Sequence, residues 1–137
     1  MQRRRVPDLS RRCSGCFFPP SHCLCVEVSR VENRTRVFML RHWQERMRTT
    51  NSGRWAGLVL SRCEIVDHGV PGAPLDFSRI PTSGAAVLFP SPAGGITSPL
   101  PQTLVVLDAT WAQARRMLQR IPELQRLPRL SLPGVLA

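Results

Sequence analysis

Residues 103–118 read TLVVLDATWAQARRML, and the first five of them are apolar or β-branched. This run predicts a strand over Thr103–Leu107 that is buried on both faces, as the central strands of parallel sheets are. A helix is predicted to follow at once, and Pro122 ends or kinks it. The apolar residues along one stripe of that helix are Trp111, Ala114, Leu118 and Ile121.

Other apolar segments predict strands of the same sheet, namely Thr35–Leu40 (TRVFML), Glu64–Val66 (EIV) and Ala85–Phe89 (AAVLF). Between the first two, the run Trp55–Leu60 predicts a helix with Thr50, Asn51 or Ser52 as its N-cap. Residues 67–83 are rich in Pro and Gly and predict a loop. The alternation of strands and helices predicts an α/β fold with an open, mostly parallel sheet.

Charge and length restrict the class of protein. The chain has 137 residues, enough for one domain, and Arg supplies all 19 of its basic residues. With only 9 acidic residues the net charge is +10, which favours a polyanionic partner, RNA or DNA ahead of a membrane.

No apolar run approaches the roughly 20 residues of a membrane helix, and no secretion signal is evident. A cytoplasmic protein is expected, while its oligomeric state is left open.

Four of the five cysteines lie close together, in the pattern C-x2-C-x6-C-x-C, at Cys13, Cys16, Cys23 and Cys25. Two close pairs of thiolates can complete a tetrahedron around a structural zinc ion, although ordinary reduced thiols are the alternative. Cys63 stands alone and is expected to be a small buried side chain. The predicted organisation is a basic arm over residues 1–12, a zinc knuckle over 13–28 and an α/β domain over 29–137.

The ends of the predicted strands carry the residues most suited to chemistry, because ligands of open α/β sheets bind beyond the carboxyl ends of the strands. These residues are Arg41 and His42, Pro90 and Ser91, and Asp108, Thr110 and Trp111. The Asp108 carboxylate either faces this crevice or caps the following helix, and Trp111 either packs in the core or stacks on a base. Arg115 and Arg116 lie one turn further on and are placed to reach RNA phosphates.

A second candidate site is the turn Asn51-Ser52-Gly53-Arg54. Small residues before a helix leave backbone N–H groups free to bind a carboxylate or a phosphate. Arg54 adds a fork-shaped cation. His42 taken alone has the default interpretation of an ordinary loop histidine.

Taken together, these motifs resemble those of the DTW-domain family. The similarity rests on C-x2-C-x2-P-x3-C-x-C from Cys13 to Cys25, Arg41-His42, Asn51-Ser52-Gly53-Arg54, Leu88-Phe89-Pro90-Ser91, and Leu107-Asp108-Ala109-Thr110-Trp111 with Ala114-Arg115-Arg116-Met117. It covers residues 13 to about 133. The chain has Trp43 where the family usually has Pro.

The resemblance implies a tRNA-uridine aminocarboxypropyltransferase with a SPOUT-like fold. Such enzymes transfer the 3-amino-3-carboxypropyl group of S-adenosylmethionine to N3 of a tRNA uridine. It implies Asp108 as the catalytic residue, acting on the N3 proton or on the amino group of S-adenosylmethionine. Residues that would bind S-adenosylmethionine are Asn51, Ser52, Gly53, Arg54, Pro90, Ser91, Thr110 and Trp111, and residues that would bind tRNA are Arg41, His42, Arg115 and Arg116.

Two other functions fit the same residues, a non-catalytic zinc-knuckle RNA-binding protein and a methyltransferase that uses S-adenosylmethionine. Family members continue for several dozen residues beyond the position of Ala137, with a C-terminal helix that helps to close the pocket. The resemblance therefore also implies a fragment or a short form, whose activity alone is a separate question.

Overall fold

The computed structural model describes residues 8–91 and 99–132, so most of the predicted basic arm lies outside the described residues. A five-stranded sheet forms the centre of the fold, in the order β2-β1-β4-β3-β5, and every pairing is parallel. The strands are β1 Arg36–His42, β2 Cys63–His68, β3 Ala85–Leu88, β4 Thr103–Asp108 and β5 Arg129–Leu130. The predicted α/β fold with a parallel sheet is confirmed, while its similarity to SPOUT folds stays a prediction.

The helices are α1 Trp43–Arg46, α2 Gly53–Val59, α3 Trp111–Arg120 and α4 Pro122–Gln125, with short 3₁₀ turns at Pro20–His22 and Phe77–Arg79. Sequence patterning missed α1, which is a single turn. Pro122 ends α3 as predicted and occupies the first turn of α4, where its missing N–H has no partner to lose. None of the helices in the described ranges is long and apolar enough to cross a membrane.

One face of the sheet forms the core with α3 and α4. Phe38 and Leu40 of β1 and Val105 of β4 are almost fully buried there. The helices contribute Met117, Leu118, Ile121 and Leu124. Each such side chain stabilises the fold by about 1.5–3 kcal/mol through removal of apolar surface from water.

The buried stripe of α3 differs from the predicted one. It consists of Ala114, Met117 and Leu118, continued by Ile121, whereas Trp111 is 63% exposed. Trp111 is the first residue of the helix, so its ring lies at the carboxyl edge of the sheet and not over the sheet's face. The prediction that Trp111 shares the core stripe was therefore wrong.

The Cys-rich segment packs on the start of α2. The rings of Phe18 and Trp55 are 5.5 Å apart. Phe17 is buried in a left-handed backbone conformation (φ 60°), which costs a non-glycine residue about 1–2 kcal/mol. Its ring lies beneath Arg54, whose Cζ is 3.2 Å from the ring centroid. The knuckle thus contacts α2 directly.

Candidate functional site at the carboxyl edge of the sheet

Three charged residues stand in one row across the carboxyl ends of neighbouring strands. Arg41 of β1 is in register with Asp67 of β2 on one side and with Asp108 of β4 on the other. Arg41 Nε donates to Asp67 Oδ1 at 2.7 Å and Nη2 to Oδ2 at 3.3 Å. The Arg41 side chain is only 12% exposed. Arg41, which the sequence suggested for RNA, thus has a protein partner in the structure, and its RNA contact stays a prediction.

Asn51 links this row to the loop before α2. It is buried, and its Nδ2 donates to Asp108 at 3.1 Å (Oδ1) and 2.9 Å (Oδ2), and to Glu45 Oε2 at 3.3 Å. Its Oδ1 accepts from the Arg54 backbone N–H at 3.1 Å. One amide therefore fixes two carboxylates and the first turn of α2. Of the three predicted N-cap candidates, Ser52 occupies the N-cap position, but its side chain makes no capping bond. The preceding residue Asn51 binds the first turn instead, through this last bond.

The Asp108 carboxylate does not cap α3. Thr110 does so, because its hydroxyl accepts from the Gln113 N–H at 3.2 Å while Gln113 Oε1 accepts from the Thr110 N–H at 3.0 Å. Burial raises the pKa of Asp108 above its usual value, and the nearby Glu45 carboxylate adds to this effect. The bond from Asn51 opposes the rise. A carboxylate with a raised pKa at the edge of a parallel sheet is suited to accept a proton.

Gly53, the first residue of α2, lies close to Asp108. A Cβ atom at Gly53 would lie 2.5 Å from Asp108 Oδ2 and 2.8 Å from Met39 Sδ. Glycine is therefore required here by close approach. Of the turn predicted to bind S-adenosylmethionine, Asn51 and Gly53 are thus brought against the predicted catalytic residue, and Ser52 is exposed beside them.

The stability of Asp108→Asn relative to wild type is expected to increase as pH rises. The folded state binds the Asp108 proton more tightly than the unfolded state. The contribution of this carboxyl group to the free energy of unfolding is therefore greatest at low pH. That contribution falls as pH rises from 3.8, the ordinary value of the group, through its raised folded-state pKa. Urea unfolding of both proteins between pH 4 and 8 should show a free-energy difference that grows in favour of Asp108→Asn as pH rises. A pH-independent difference would contradict the raised pKa.

Arg54 has most of its guanidinium in contact with the protein. Nη2 donates to the Arg46 carbonyl at 2.6 Å, and the group stacks on Phe17. Its Nε is buried and makes no hydrogen bond within the described residues. Burial lowers the pKa of Arg54. The predicted contact of Arg54 with a ligand carboxylate stays a prediction.

Aromatic and basic side chains border the site on its β3 side. The Trp111 and Phe89 rings are 5.9 Å apart in an edge-on contact, and Arg129 Cζ lies 5.5 Å from the Phe89 ring centroid. Pro90 and Ser91 follow Phe89 at the end of β3. Arg115 and Arg116 are exposed on α3. The ligand contacts of Pro90, Ser91 and Trp111 and the RNA contacts of Arg115 and Arg116 stay predictions.

Two histidines occupy the row beyond Arg41, since His42 of β1 is in register with His68 of β2. His42 Nδ1 accepts from the Gln44 N–H at 3.3 Å. Burial lowers the pKa of both rings, and for His42 the neighbouring His68 contributes. With its pKa lowered from 6.5, His42 is mainly neutral at pH 7, so its predicted RNA contact depends mostly on hydrogen bonding.

The four predicted metal ligands do come together. The Sγ atoms of Cys13, Cys16, Cys23 and Cys25 all lie within 4.8 Å of one another, with Cys13–Cys25 at 3.7 Å and Cys16–Cys23 at 3.8 Å. A tetrahedral zinc site with bonds of about 2.3 Å needs sulfur atoms about 3.8 Å apart. Gly15 leaves space for them, since a Cβ there would lie 3.0 Å from Cys25 Sγ. The geometry fits zinc.

The protonation of the thiols supports this fit. Backbone N–H groups of Cys16 and Gly15 lower the pKa of Cys13 to about 6. Contact with Cys13 raises the pKa of Cys25 to about 12. All four thiols can be deprotonated together only when a cation offsets their repulsion. Cys63 lies apart on β2 and is partly buried, and burial raises the pKa of its thiol.

Sequence reasoning missed three members of the site, Glu45, Asp67 and His68. Asp67 and His68 were included in the predicted loop 67–83, although they follow the strand segment Glu64–Val66 directly. The strand-end rule that singled out Arg41 and His42 applied to them equally. Nothing in the sequence marks Glu45, which looks like a surface acid beside Arg46.

Comparison with known proteins gives one clear result. The sequence matches the DTW domain family over residues 10–135. No solved structure matches the chain. The matched range contains the Cys cluster, the turn from Asn51 to Arg54, and Asp108. The chain therefore belongs to the DTW-domain family.

Proposed function

We propose that this protein transfers the 3-amino-3-carboxypropyl group of S-adenosylmethionine to N3 of a tRNA uridine. The DTW domain is associated with tRNA modification. All five cysteines of this chain are free in the structure. Because thiols stay reduced in the cytoplasm, we place the reaction there.

One observation carries the proposal. The Asp108 carboxylate, with its raised pKa, lies at the carboxyl edge of the sheet against the Asn51–Gly53 turn. A zinc-knuckle protein that only binds RNA has no use for a half-buried carboxylate fixed in this way. For RNA binding alone, a positively charged surface would be sufficient.

The reaction requires little covalent chemistry from the protein itself. In S-adenosylmethionine the positive sulfur is already a good leaving group. The N3 atom of uridine forms the new bond to the γ-carbon, the bond between that carbon and sulfur breaks, and the electron pair leaves with neutral methylthioadenosine. The N3 proton needs an acceptor, and the enzyme has to align the two reactants.

Asp108 would accept the N3 proton. Asn51 would hold both of its oxygens in place, as it does in the structure. The exposed Trp111 ring would stack on a base, and Arg115 and Arg116 would contact phosphates of the tRNA. A contact between Asp108 and the amino group of S-adenosylmethionine is the alternative role for the same residue.

Transfer to unmodified tRNA by wild type and by Asp108→Asn tests the proposal. We expect kcat to fall by about 10²–10⁴-fold in the variant, the range of general acid–base catalysis. Asp76→Asn is the matched control, because Asp76 is exposed and its carboxylate accepts from the Ser78 N–H instead of contacting Asp108 or Asn51. Mass spectrometry of the nucleosides separates aminocarboxypropyl transfer from methyl transfer. Equal rates for wild type and Asp108→Asn would remove Asp108 from the mechanism.

Calorimetry with S-adenosylmethionine addresses the non-catalytic alternative. Binding by wild type supports an enzyme. A chain that binds tRNA tightly but neither binds S-adenosylmethionine nor modifies tRNA would be an RNA-binding protein.

A further inference from the structure

The opposite edge of the sheet carries a separate basic surface. An open cavity of about 370 Å³ lies where three parallel strands begin. It is lined by Arg34 and Thr35 before β1, Arg62 before β2, and Pro101 and Gln102 before β4. A second cavity of about 250 Å³ shares Arg62 and adds Arg36. We call Arg34, Arg36 and Arg62 the amino-edge arginine patch.

The charges of the patch are largely unneutralised. Among the described residues, Glu64 is the one carboxylate that lines either cavity, and Arg79 Nη2 binds it at 3.1 Å. Within the described residues, neither Arg34 nor Arg36 makes a side-chain ion pair or hydrogen bond. Arg62 Nη1 donates to the Arg34 carbonyl at 2.8 Å, which fixes the Arg62 side chain over the larger cavity. The three guanidinium groups of the patch therefore line two open cavities.

The lining indicates the kind of partner. Guanidinium groups bind phosphate oxygens through paired N–H donors. In the described part of the chain, no aromatic side chain lines either cavity. There the patch lacks both the stacking surface that reads unpaired bases and the aromatic anchor typical of protein interfaces. The other lining groups are small or polar, such as Thr35, Ser61 and Gln102. This combination suits contact with a phosphate backbone without base reading.

We propose that the amino-edge arginine patch binds the phosphate backbone of the substrate RNA, away from the nucleotide being modified. The proposal rests on the proposed function for the identity of the RNA as tRNA. The patch and Asp108 lie at opposite ends of the sheet. β1 runs from Arg36 to His42, a length of about 20 Å at about 3.3 Å per residue. A single nucleotide cannot span that distance, whereas a folded tRNA can contact both edges.

The experiment measures equilibrium binding of a pool of unmodified tRNA transcripts at several salt concentrations, without S-adenosylmethionine. We expect the double variant Arg34→Gln/Arg62→Gln to bind more weakly, and the slope of log K against log salt to fall by about 2, one for each lost phosphate contact. Arg34→Lys/Arg62→Lys keeps the charges and should retain the wild-type slope, which separates charge from folding.

The matched control is Arg120→Gln/Arg126→Gln, which removes two exposed charges from α3 and the end of α4. An equal loss of slope in this control would assign the effect to net charge and overturn the proposal. An unchanged slope in Arg34→Gln/Arg62→Gln would also overturn it. Capture of an acidic polypeptide such as polyglutamate in preference to tRNA, abolished by the same variant, would show a protein-binding surface instead.

Transfer assays keep this proposal distinct from the proposed function. On full tRNA the double variant should raise KM and leave kcat unchanged, and on a short stem-loop that holds the target uridine it should behave as wild type. If wild type transfers nothing while the variant still lowers the salt slope, the patch stands and the transferase proposal fails. If wild type transfers normally and the variant changes neither slope nor KM, the patch alone fails.

Discussion

Replacement of Gly53 by alanine is expected to reduce aminocarboxypropyl transfer by about 100-fold while the protein stays folded. The new methyl group would lie 2.5 Å from Asp108 Oδ2 and 2.8 Å from Met39 Sδ. Met39 can turn its end away. The Asp108 carboxylate is held by Asn51, so it can retreat only by breaking the bonds that position it. Even a displacement of about 1 Å at a reacting group costs about this much in rate.

The loss should appear in activity and not in stability. Alanine favours a helix over glycine by up to about 1 kcal/mol, which offsets part of the strain at the start of α2. Steady-state kinetics and thermal unfolding of Gly53→Ala measure the two effects separately. Gly57→Ala is the matched control in the same helix, because its Cβ would meet only the Cδ1 end of Ile65, at 2.7 Å, and that end can rotate. Wild-type activity in Gly53→Ala would show that Asp108 does not need its present position.

Four of the five strands were predictable because they are short apolar runs, whereas β5, the two residues Arg129–Leu130, was missed. The strand Thr103–Leu107 can be predicted from its own residues, because Leu104–Leu107 are all apolar. Parallel strands also place their carboxyl ends at one edge, so Arg41 and Asp108 were both expected at that edge, although the pairing of their strands was not predicted. Local sequence even contained the Thr110-x-x-Gln113 signature of a capping box, which shows that Asp108 is not needed as the cap.

The connections within the site were not predictable in this way. Asn51 and Asp108 are 57 positions apart, and no local pattern says that an amide before α2 will bind both oxygens of a carboxylate after β4. Glu45 is buried, and its carboxylate is bound by Asn51 and Arg48, which only the packed structure brings to it. Trp111 has the periodicity of a core residue but starts its helix beyond the edge of the sheet. Such facts depend on how elements pack, which the sequence of one segment does not contain.

Removal of metal from the full chain is expected to disorder the knuckle and to weaken binding of S-adenosylmethionine, with the sheet retained. Structural zinc in small sites contributes on the order of 10 kcal/mol of apparent binding energy, and the knuckle has little core of its own to replace it. Without the cation, a hydrogen bond to Cys13 raises the pKa of Cys25 to about 12, so Cys25 stays protonated at neutral pH. Only weak sulfur–sulfur hydrogen bonds such as Cys13–Cys25 then hold the cluster together. The sheet has its own core from Phe38 to Leu124, which does not include the cysteines.

The effect should reach the site through two aromatic contacts. Phe17 supports the Arg54 guanidinium and Phe18 packs on Trp55, so loss of the knuckle would expose both helix residues. Chelation should release about one zinc per chain, shift tryptophan fluorescence and reduce S-adenosylmethionine binding, while far-ultraviolet circular dichroism keeps the sheet signal. Cys16→Ser should behave like the chelated protein, and Cys63→Ser, which changes a cysteine outside the cluster, like wild type. Equal zinc content in Cys16→Ser and Cys63→Ser would exclude the four-cysteine site. If binding of S-adenosylmethionine is undiminished after complete zinc release, Arg54 keeps its place without Phe17.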